Sequence, residues 1–395
     1  MTFTTEDKNI RTAFVFIALI LFFISELLFV TGNASSVTLK LFGLIFLVGV
    51  IVSTRFVHKA VYLLLPIFII LLYNFYIALN YSAAQEELLR FLIPIIILLS
   101  LYAHLNLETL ARFVIYLILS NDIFQVFYYV SYFLNLPLIY EPRIEYGYLL
   151  RAEGWIGYFS LFGFINFCGY LLVRNSNCDK IKKYKNIFLT FMFLSTSLKV
   201  IVGFFIYLMI TSKVKHIKLE SIILIILVII LLVIFGGFVE DYTDLVVSKF
   251  NFYIIEGNSA RSESYRVLYA EVLRGNLFGA GLGSFGGPSS TAYDSVMYYI
   301  YNFNWYGLEG VLSTTDTFYP HLFVELGVIG GLLYLIFFIF YGYQQYNTQW
   351  FALVIVFLLD NAMSFSLLSP PYVMTAIITL RYLQNNETNN TGDNL

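Results

Sequence analysis

The stretch TAFVFIALILFFISELLFV, residues 12–30, decides the fold of this chain. It is almost wholly apolar and, as a helix, has the length of about 20 residues that a bilayer core requires. Similar runs recur along the 395 residues, of which 59% are hydrophobic and 12% charged. Soluble domains carry about 25% charged residues. The sequence therefore predicts an all-α, polytopic membrane protein whose first span is retained, since no small-residue cleavage site follows it.

Further spans follow from the apolar runs along the chain. They are predicted at residues 37–53, 60–79, 88–101, 111–134, 154–173, 219–238, 321–342, 350–367 and 372–383. The run 187–211 has lysines beyond both ends and Lys199 inside it. Because a charge near the middle of a bilayer is costly, this run is predicted to form two short antiparallel segments that turn at residues 195–199.

About twelve membrane segments result from this count. Residues 1–238 hold the first nine, 239–320 form one long polar loop, 321–384 hold the last three, and the tail 385–395 is expected to be disordered. No internal repeat is apparent.

The short loops predict the orientation, because cytoplasmic loops are rich in Lys and Arg. Basic residues follow the second, fourth and sixth spans: Arg55, Lys59, Arg112, Arg174, Lys180, Lys182, Lys183 and Lys185. This alternation predicts cytoplasmic termini and an extracytoplasmic loop at 239–320, which has an excess of acidic residues. The net charge of −2 predicts no nucleic-acid partner, and two cysteines cannot form a disulfide framework.

Inside this loop, residues 260–274 have helical periodicity. Tyr265, Leu268, Tyr269, Val272 and Leu273 share one predicted apolar face. Arg261 and Arg266 belong to the same helix. Two interpretations stay open: the arginines bind phosphate, or the helix lies on the membrane with its arginines solvated.

A glycine-rich segment, LFGAGLGSFGG at residues 277–287, follows the helix. Gly279, Gly281 and Gly283 could let exposed backbone N–H groups surround an anion. A flexible hinge explains the same composition. The segment is not a dinucleotide fingerprint, because no strand precedes it.

The stretch FYPHLFVELGVIGG opens the tenth span with His321 and, one turn later, Glu325. Such a pair at a helix mouth could act as an acid and a base, or could be an interfacial histidine with a capping carboxylate. The other histidines are predicted on the cytoplasmic side, so no zinc site is expected and no metal or cofactor is assigned. Arg151, in the charged loop 135–153, is predicted at the outer surface, where its charge could also only pair with neighbouring carboxylates.

These segments together resemble the Wzy_C-type family of O-antigen polymerases and ligases. In that family an arginine opens an amphipathic helix and a "lfGvGlgsF" segment follows; Arg261 and Gly279 stand in those places. His321, Glu325 and the following LGVIGG resemble the family's "HN-x-fLe-l-GiiG". The resemblance covers roughly residues 151–333. It departs where Leu322 replaces the usual Asn, and where Lys199 is out of register with the family's Ser-Arg.

The resemblance implies a glycosyltransferase with its active site at the periplasmic face of a bacterial inner membrane. The donor would be a glycan on undecaprenyl diphosphate, and the acceptor the next lipid-linked repeat unit. Arg261, Arg151, Lys199 and Arg266 would bind the diphosphate without a metal. His321 would be the general base, with Glu325 orienting it or replacing it. Aromatic residues of 293–306 would stack on sugars or anchor the loop at the membrane interface.

A polymerase is the preferred member of the family, and a ligase that transfers glycan to lipid A–core is the alternative. A lipid-linked sugar transporter or flippase is a further alternative from a different class. Membrane lipid and a chain-length-regulating protein are the partners that the resemblance implies.

Overall fold

The structure, a computed structural model, is helical over most of the residues that it describes, which are 5–54, 62, 64–145, 149–176, 178–211, 259–305, 308–309, 317–343 and 346–392. The first nine helices are α1 Thr5–Val30, α2 Ser35–Val52, α3 Leu64–Tyr76, α4 Tyr81–Leu101, α5 Leu107–Phe133, α6 Phe159–Arg174, α7 Asp179–Lys182, α8 Lys185–Leu194 and α9 Leu198–Thr211. The next six are α10 Ala260–Leu273, α11 Pro288–Ala292, α12 Val296–Ile300, α13 Phe318–Phe340, α14 Thr348–Ala362 and α15 Pro370–Gly392. The predicted span 219–238 and the first part of the loop 239–320 lie outside the described residues.

Two short antiparallel strand pairs and a turn of 3₁₀-helix complete the described structure. β1 Ile144–Glu145 pairs with β2 Leu149–Leu150, and β3 Asn304–Trp305 pairs with β4 Leu308–Glu309. The 3₁₀-helix spans Ser366–Leu368.

Among the described residues, four helices are long and apolar enough to cross a membrane: Glu6–Val30, Ser35–Val52, Leu107–Phe133 and Phe318–Phe340. Shorter apolar helices are Leu64–Tyr76, Phe159–Arg174, Leu198–Thr211 and Thr348–Ala362. Large apolar side chains such as Ile45, Leu65 and Phe127 are about two-thirds exposed on the outside of the helices. Exposed apolar surface of this kind is typical of a protein that contacts lipid. The all-α, membrane-protein character is therefore as predicted.

Helix α6 lies at the centre of the packing. All its residues from Ser160 to Val173 are buried, and α5, α8, α9 and α15 pack around it. A helix that is apolar on every side avoids both water and lipid headgroups only in such a central position.

The run 187–211 is divided into α8 and α9, at the place where the charge pattern predicted a turn. Ser195, Thr196 and Ser197 separate the two helices, and Thr196 has a φ of +50°. The Ser195 hydroxyl donates to the carbonyl of Met192 at 2.6 Å, which ends α8. Lys199 thus lies in the first turn of α9.

Helix α15 runs from Pro370 to Gly392 and so extends into the residues that were predicted as a tail. Once an apolar helix has formed, each added residue gains a hydrogen bond without a new nucleation cost. The expected disorder of residues 385–395 stays a prediction.

The loops fall into two groups, and contacts join the members within each group. One group joins Arg11 to Ser53, Asn106 to Thr12, and Arg381 to Ala103. The other joins Glu87 to Ser289, Ala152 to Leu194, Lys199 to Asp360, and Tyr265 to Ala362. The first group joins segments near loops that were predicted to be cytoplasmic, and most of the second group lies near loops that were predicted to be extracytoplasmic; the orientation itself stays a prediction.

Candidate functional site

Helix α13 carries the predicted His–Glu pair and is interrupted immediately after it. Gly327 has φ 74° and ψ 174°, outside the helical range. The N–H groups of Val328 and Ile329 therefore bond to the carbonyls of Asn276 and Leu277, at 3.2 and 3.0 Å. A Cβ at position 327 would lie 2.4 Å from the backbone N of Gly279. Glycine is needed here because the loop backbone is inserted into the break.

The glycine loop, residues 277–287, packs closely against the α3–α4 turn. The Asn74 side chain donates to the Phe278 carbonyl at 2.7 Å and accepts from the Gly281 N–H at 3.2 Å. A Cβ on Gly279 would lie 2.2 Å from Asn74 Oδ1, and one on Gly283 would lie 2.6 Å from the Ala83 methyl. The glycines thus serve close packing in this structure.

The N–H groups near the end of the loop face carboxylates of the protein itself. Phe285 N–H donates to Glu325 Oε1 at 3.1 Å, and Ser289 N–H donates to Glu87 Oε1 at 3.1 Å. The sequence suggested that N–H groups of this loop could bind an external anion. In this structure the N–H groups of Phe285 and Ser289 bind the protein's own carboxylates, those of Glu325 and Glu87.

Glu87, His321 and Glu325 form a buried cluster, which we call the carboxylate–imidazole cluster. All three side chains have no exposed surface. His321 Nε2 lies 3.5 Å from Glu87 Oε2, and His321 Nδ1 lies 3.6 Å from Glu325 Oε1. Nδ1 is also 3.0 Å from the Phe285 carbonyl oxygen. A carbonyl oxygen can only accept, so Nδ1 carries a proton and the lone pair of the neutral imidazole is on Nε2.

Aromatic rings and one arginine surround this cluster. The His321 ring stacks on Phe91 with centroids 4.9 Å apart, and Phe365 lies 5.0 Å away on another side. Arg90 donates to Glu87 Oε1 at 2.6 Å and to the Ser289 hydroxyl at 2.6 Å. Because Arg90 is 29% exposed, it connects the buried carboxylate with the surface.

Glu87 and Arg90 were not singled out from the sequence. They lie in EELLR, at the start of the fourth predicted span, with a spacing of one helical turn. A charged pair at a span mouth, on the same predicted side as His321, is the signal that could have identified them.

Helix α10 forms where the periodicity predicted a helix. Ser259 caps it in a capping box with Ser262, and the residues that it buries are Ala260, Ser264, Val267 and Glu271. Of the predicted apolar face, Tyr269 and Leu273 are 66% and 69% exposed, whereas Leu268 is partly buried. For a helix beside lipid, the apolar stripe can face the bilayer while the small and polar stripe packs on protein. Periodicity gives the two faces but not which of them meets the protein.

Arg261 and Arg266 have different surroundings on α10. Arg261 is exposed in the first turn. Burial raises the pKa of the neighbouring Tyr265 hydroxyl to about 12, and the charge of Arg261 opposes this shift. Arg266 is held by Glu263 at 2.6 Å and by the Tyr301 carbonyl at 2.8 Å.

Arg151 and Lys199 lie at the α8–α9 turn, beside a second polar group. Arg151 stacks over the Phe159 ring at 3.9 Å, and the Ala152 N–H next to it donates to Leu194 O at 3.0 Å. Lys199 pairs with Asp360 at 3.1 Å, and Asp360 is 2% exposed. His321 and Lys199 thus belong to two separate clusters, each in contact with part of the segment between α14 and α15.

The aromatic stretch 293–306 is divided between core and surface. Tyr298 and Phe303 are 1% exposed and pack with Phe285. Tyr293 and Tyr299 are 39% and 56% exposed. Only the exposed rings remain candidates for stacking on sugars.

The carboxylate–imidazole cluster can also hold a metal ion. One potential ligand atom from each of Glu87, His321 and Glu325 lies within 4.8 Å of the other two. The prediction of no zinc site considered only histidines. It did not include the carboxylate of Glu87, which lies on α4 and reaches the cluster through tertiary packing.

Comparison with known proteins assigns no family. Neither a scan of protein-family models nor a search of curated proteins finds a match. The function is therefore argued from the resemblance of the motifs and from the geometry of the site.

Proposed function

We propose that this chain is a polysaccharide polymerase of the bacterial inner membrane, with about twelve membrane segments and its active site at the periplasmic face. It transfers a growing glycan from undecaprenyl diphosphate to a sugar hydroxyl of the next lipid-linked repeat unit. One observation carries the proposal: the His321–Glu325 segment and the glycine loop, which resemble family motifs and are distant in sequence, share backbone hydrogen bonds around one buried imidazole.

The geometry around His321 fits a general base. The Phe285 carbonyl holds Nδ1–H at 3.0 Å, which leaves Nε2 as the basic atom. In the transfer, the acceptor oxygen bonds to the anomeric carbon while the bond from that carbon to the diphosphate oxygen breaks. The hydroxyl proton moves to Nε2, and the lipid diphosphate leaves with the bonding electrons. Because the cluster has no exposed surface, the acceptor reaches Nε2 only after the glycine loop has moved.

Cationic side chains neutralise the leaving diphosphate without a metal. Arg261 is the leading candidate, because it is exposed in the first turn of α10 and stands where the family's arginine opens the amphipathic helix. Arg151 is the second. Lys199 and Arg266 contribute less, since Asp360 and Glu263 already pair with them.

The outward apolar stripe of α10 supports a lipid-borne substrate. Tyr269, Val272 and Leu273 are exposed next to the site, and such a stripe lies in the membrane interface. A polyprenyl chain can then stay in the bilayer while its diphosphate meets Arg261.

The product of a deletion strain distinguishes a polymerase from a ligase. In a host that makes O-antigen, loss of the polymerase leaves one repeat unit on lipid A–core, and loss of the ligase leaves bare core. We expect a single repeat unit, restored to a ladder by the wild-type chain but not by His321→Ala. Bare core would reject the polymerase in favour of the ligase.

A transporter of lipid-linked sugars is the second candidate. The Lys199–Asp360 pair and the buried Asp122 of α5 lie among apolar helices, and charges in such places often mark transport pathways. Proteoliposomes that contain a fluorescent lipid-linked repeat unit separate the two functions. A polymerase lengthens the glycan, whereas a transporter moves it across the bilayer unchanged.

A further inference from the structure

We propose that Glu87, His321 and Glu325 form a binding site for one divalent cation of the Zn²⁺ type. The bound ion inhibits glycan transfer, a consequence that rests on the proposed function, whereas the site itself does not.

Each of the three side chains keeps one buried polar atom without a hydrogen bond. Glu87 Oε2, His321 Nε2 and Glu325 Oε2 have no hydrogen-bond partner among the described residues. Buried polar atoms are normally paired, so three unpaired atoms in one cluster indicate a missing partner. Since all three are acceptors, given the tautomer of His321, that partner is a cation or a shared proton.

The distances suit a metal ion after a small adjustment. One ligand atom from each residue lies within 4.8 Å of the others, and the Glu87 Oε2–His321 Nε2 distance is 3.5 Å. Ligand atoms around a tetrahedral zinc ion, bound at about 2.0–2.2 Å, are roughly 3.3–3.6 Å apart. The Glu87–His321 pair already has this spacing, and the remaining separations need to contract by at most about 1.4 Å.

The second atoms of the ligands are held as they are in metal sites. His321 donates Nδ1–H to a backbone carbonyl, the arrangement that fixes the tautomer of most metal-binding histidines. Glu87 Oε1 accepts from Arg90 and Ser289, and Glu325 Oε1 accepts from Phe285. Each ligand is thus oriented by its outer atom while its inner atom remains available.

The charge of the cluster also favours a cation. The cluster has two buried carboxylates, and the guanidinium that neutralises them belongs to Arg90. Arg90 also pairs with the more exposed Glu86. Uncompensated buried charge is unfavourable, and a divalent ion neutralises both carboxylates. The imidazole ligand favours Zn²⁺ over Mg²⁺, which prefers oxygen ligands and retains its waters.

Inhibition follows from the atom that the ion occupies. His321 Nε2 cannot both bind Zn²⁺ and accept the proton of the acceptor hydroxyl. Micromolar Zn²⁺ should therefore slow transfer in proportion to occupancy, and a chelator should restore it.

Equilibrium dialysis of the purified full-length chain in lipid nanodiscs, with ZnCl₂ as the probe and elemental analysis as the readout, tests the site. We expect one tightly bound Zn²⁺ per chain, and affinity at least about 100-fold lower in His321→Ala, Glu87→Gln and Glu325→Gln. The matched controls Glu86→Gln and His104→Ala should retain the ion. Size-exclusion profiles verify that each variant is folded. Co²⁺ provides a second readout, because its visible bands report the coordination geometry, and these bands should weaken in all three ligand variants but not in the two controls.

The outcomes separate the two proposals. Absence of bound Zn²⁺, or Zn²⁺ that persists in all three ligand variants, overturns the site. Zn²⁺ binding by a chain that shows no transfer activity even after a chelator has removed the ion supports the site and counts against the proposed function. Transfer that proceeds unchanged while Zn²⁺ is bound overturns the inhibition.

Discussion

Glu87 Oε2 and His321 Nε2 face each other at 3.5 Å in a site with no exposed surface, although they belong to different helices, α4 and α13. Their approach depends on the glycine loop and the start of α11, because Phe285 N–H bonds to Glu325 and Ser289 N–H bonds to Glu87. The site is therefore assembled by tertiary packing. A substitution in α4, in α13 or in the glycine loop should therefore also change the positions of the site residues on the other two.

Glu87→Gln should destabilise the protein by about 1–3 kcal/mol, because Arg90 loses its buried charged acceptor and His321 loses the neighbouring charge. Glu86→Gln is the matched control, since Glu86 is adjacent in sequence, contacts the same arginine and is 46% exposed. Its effect should stay within about 1 kcal/mol, as for other exposed pairs. Thermal unfolding in detergent measures both. Equal effects of the two substitutions would contradict the buried role of Glu87.

Gly287→Ala should lower transfer by about 10- to 100-fold, a range typical of misplaced reacting groups. The added Cβ would lie 2.3 Å from Glu87 Oε1 and 2.7 Å from His321 Cε1. The backbone at Gly287 has φ −83°, which alanine adopts freely, so any loss reports the steric clash alone. Gly49→Ala, where the nearest atom is 3.7 Å away, is the control. Normal transfer by Gly287→Ala would mean that the loop does not press on the cluster.

The sequence predicts the helices better than it predicts the site. Apolar runs located most of the described helices, and the run 187–211 is divided close to Lys199, because apolar length and charge act locally. His321 and Glu325 were found since they share one turn of one helix. Glu87 was missed because its role depends on α4 packing against the loop 277–289, which no local pattern reveals.

Helix α10 also shows that a local sequence pattern does not reveal which face of a helix packs against the protein. The period of Tyr269 and Leu273 identified an apolar stripe, but in a membrane protein lipid competes with the protein interior for such a stripe. The pairing of Lys199 with Asp360 was also not visible locally, so the assignment of Lys199 to the diphosphate is weaker than the sequence implied.

Stability should fall as the pH rises from about 5 to 8, and Glu153 should account for part of this change. Burial raises the pKa of Glu153 from 4.5 to about 7, against the opposing charges of Arg143 and Arg151. The folded chain thus holds a proton that the unfolded chain releases. The contribution is complete below the unfolded pKa and is lost as the pH rises through the folded pKa.

Unfolding temperatures across this pH range, for wild type and Glu153→Gln, measure the contribution. The difference should be at most about 3 kcal/mol, from a shift of this size. Glu141→Gln, at an exposed position in the same segment, should leave the pH dependence intact. A Glu153→Gln profile that parallels the wild type would contradict the shift.

Lys199 and Asp360 should show strong energetic coupling. Removing either partner leaves the other charge buried among helices, so Lys199→Met and Asp360→Asn should each destabilise the chain. The double variant should be more stable than the sum of the single effects predicts, by about 1–3 kcal/mol. A double-mutant cycle of unfolding free energies tests this. Additive effects would indicate that Lys199 is engaged elsewhere, as a diphosphate ligand would be.

The most direct test of the account is transfer in vitro from a defined undecaprenyl diphosphate-linked repeat unit by the purified chain in nanodiscs. Wild type should extend the glycan, while His321→Ala and Arg261→Ala should fall by at least about 100-fold, the order expected for loss of a base or of charge stabilisation. Arg266→Ala, whose arginine is already held by Glu263, should retain most activity. Glycan extension by His321→Ala at the wild-type rate would contradict the central claim that this buried imidazole performs the transfer.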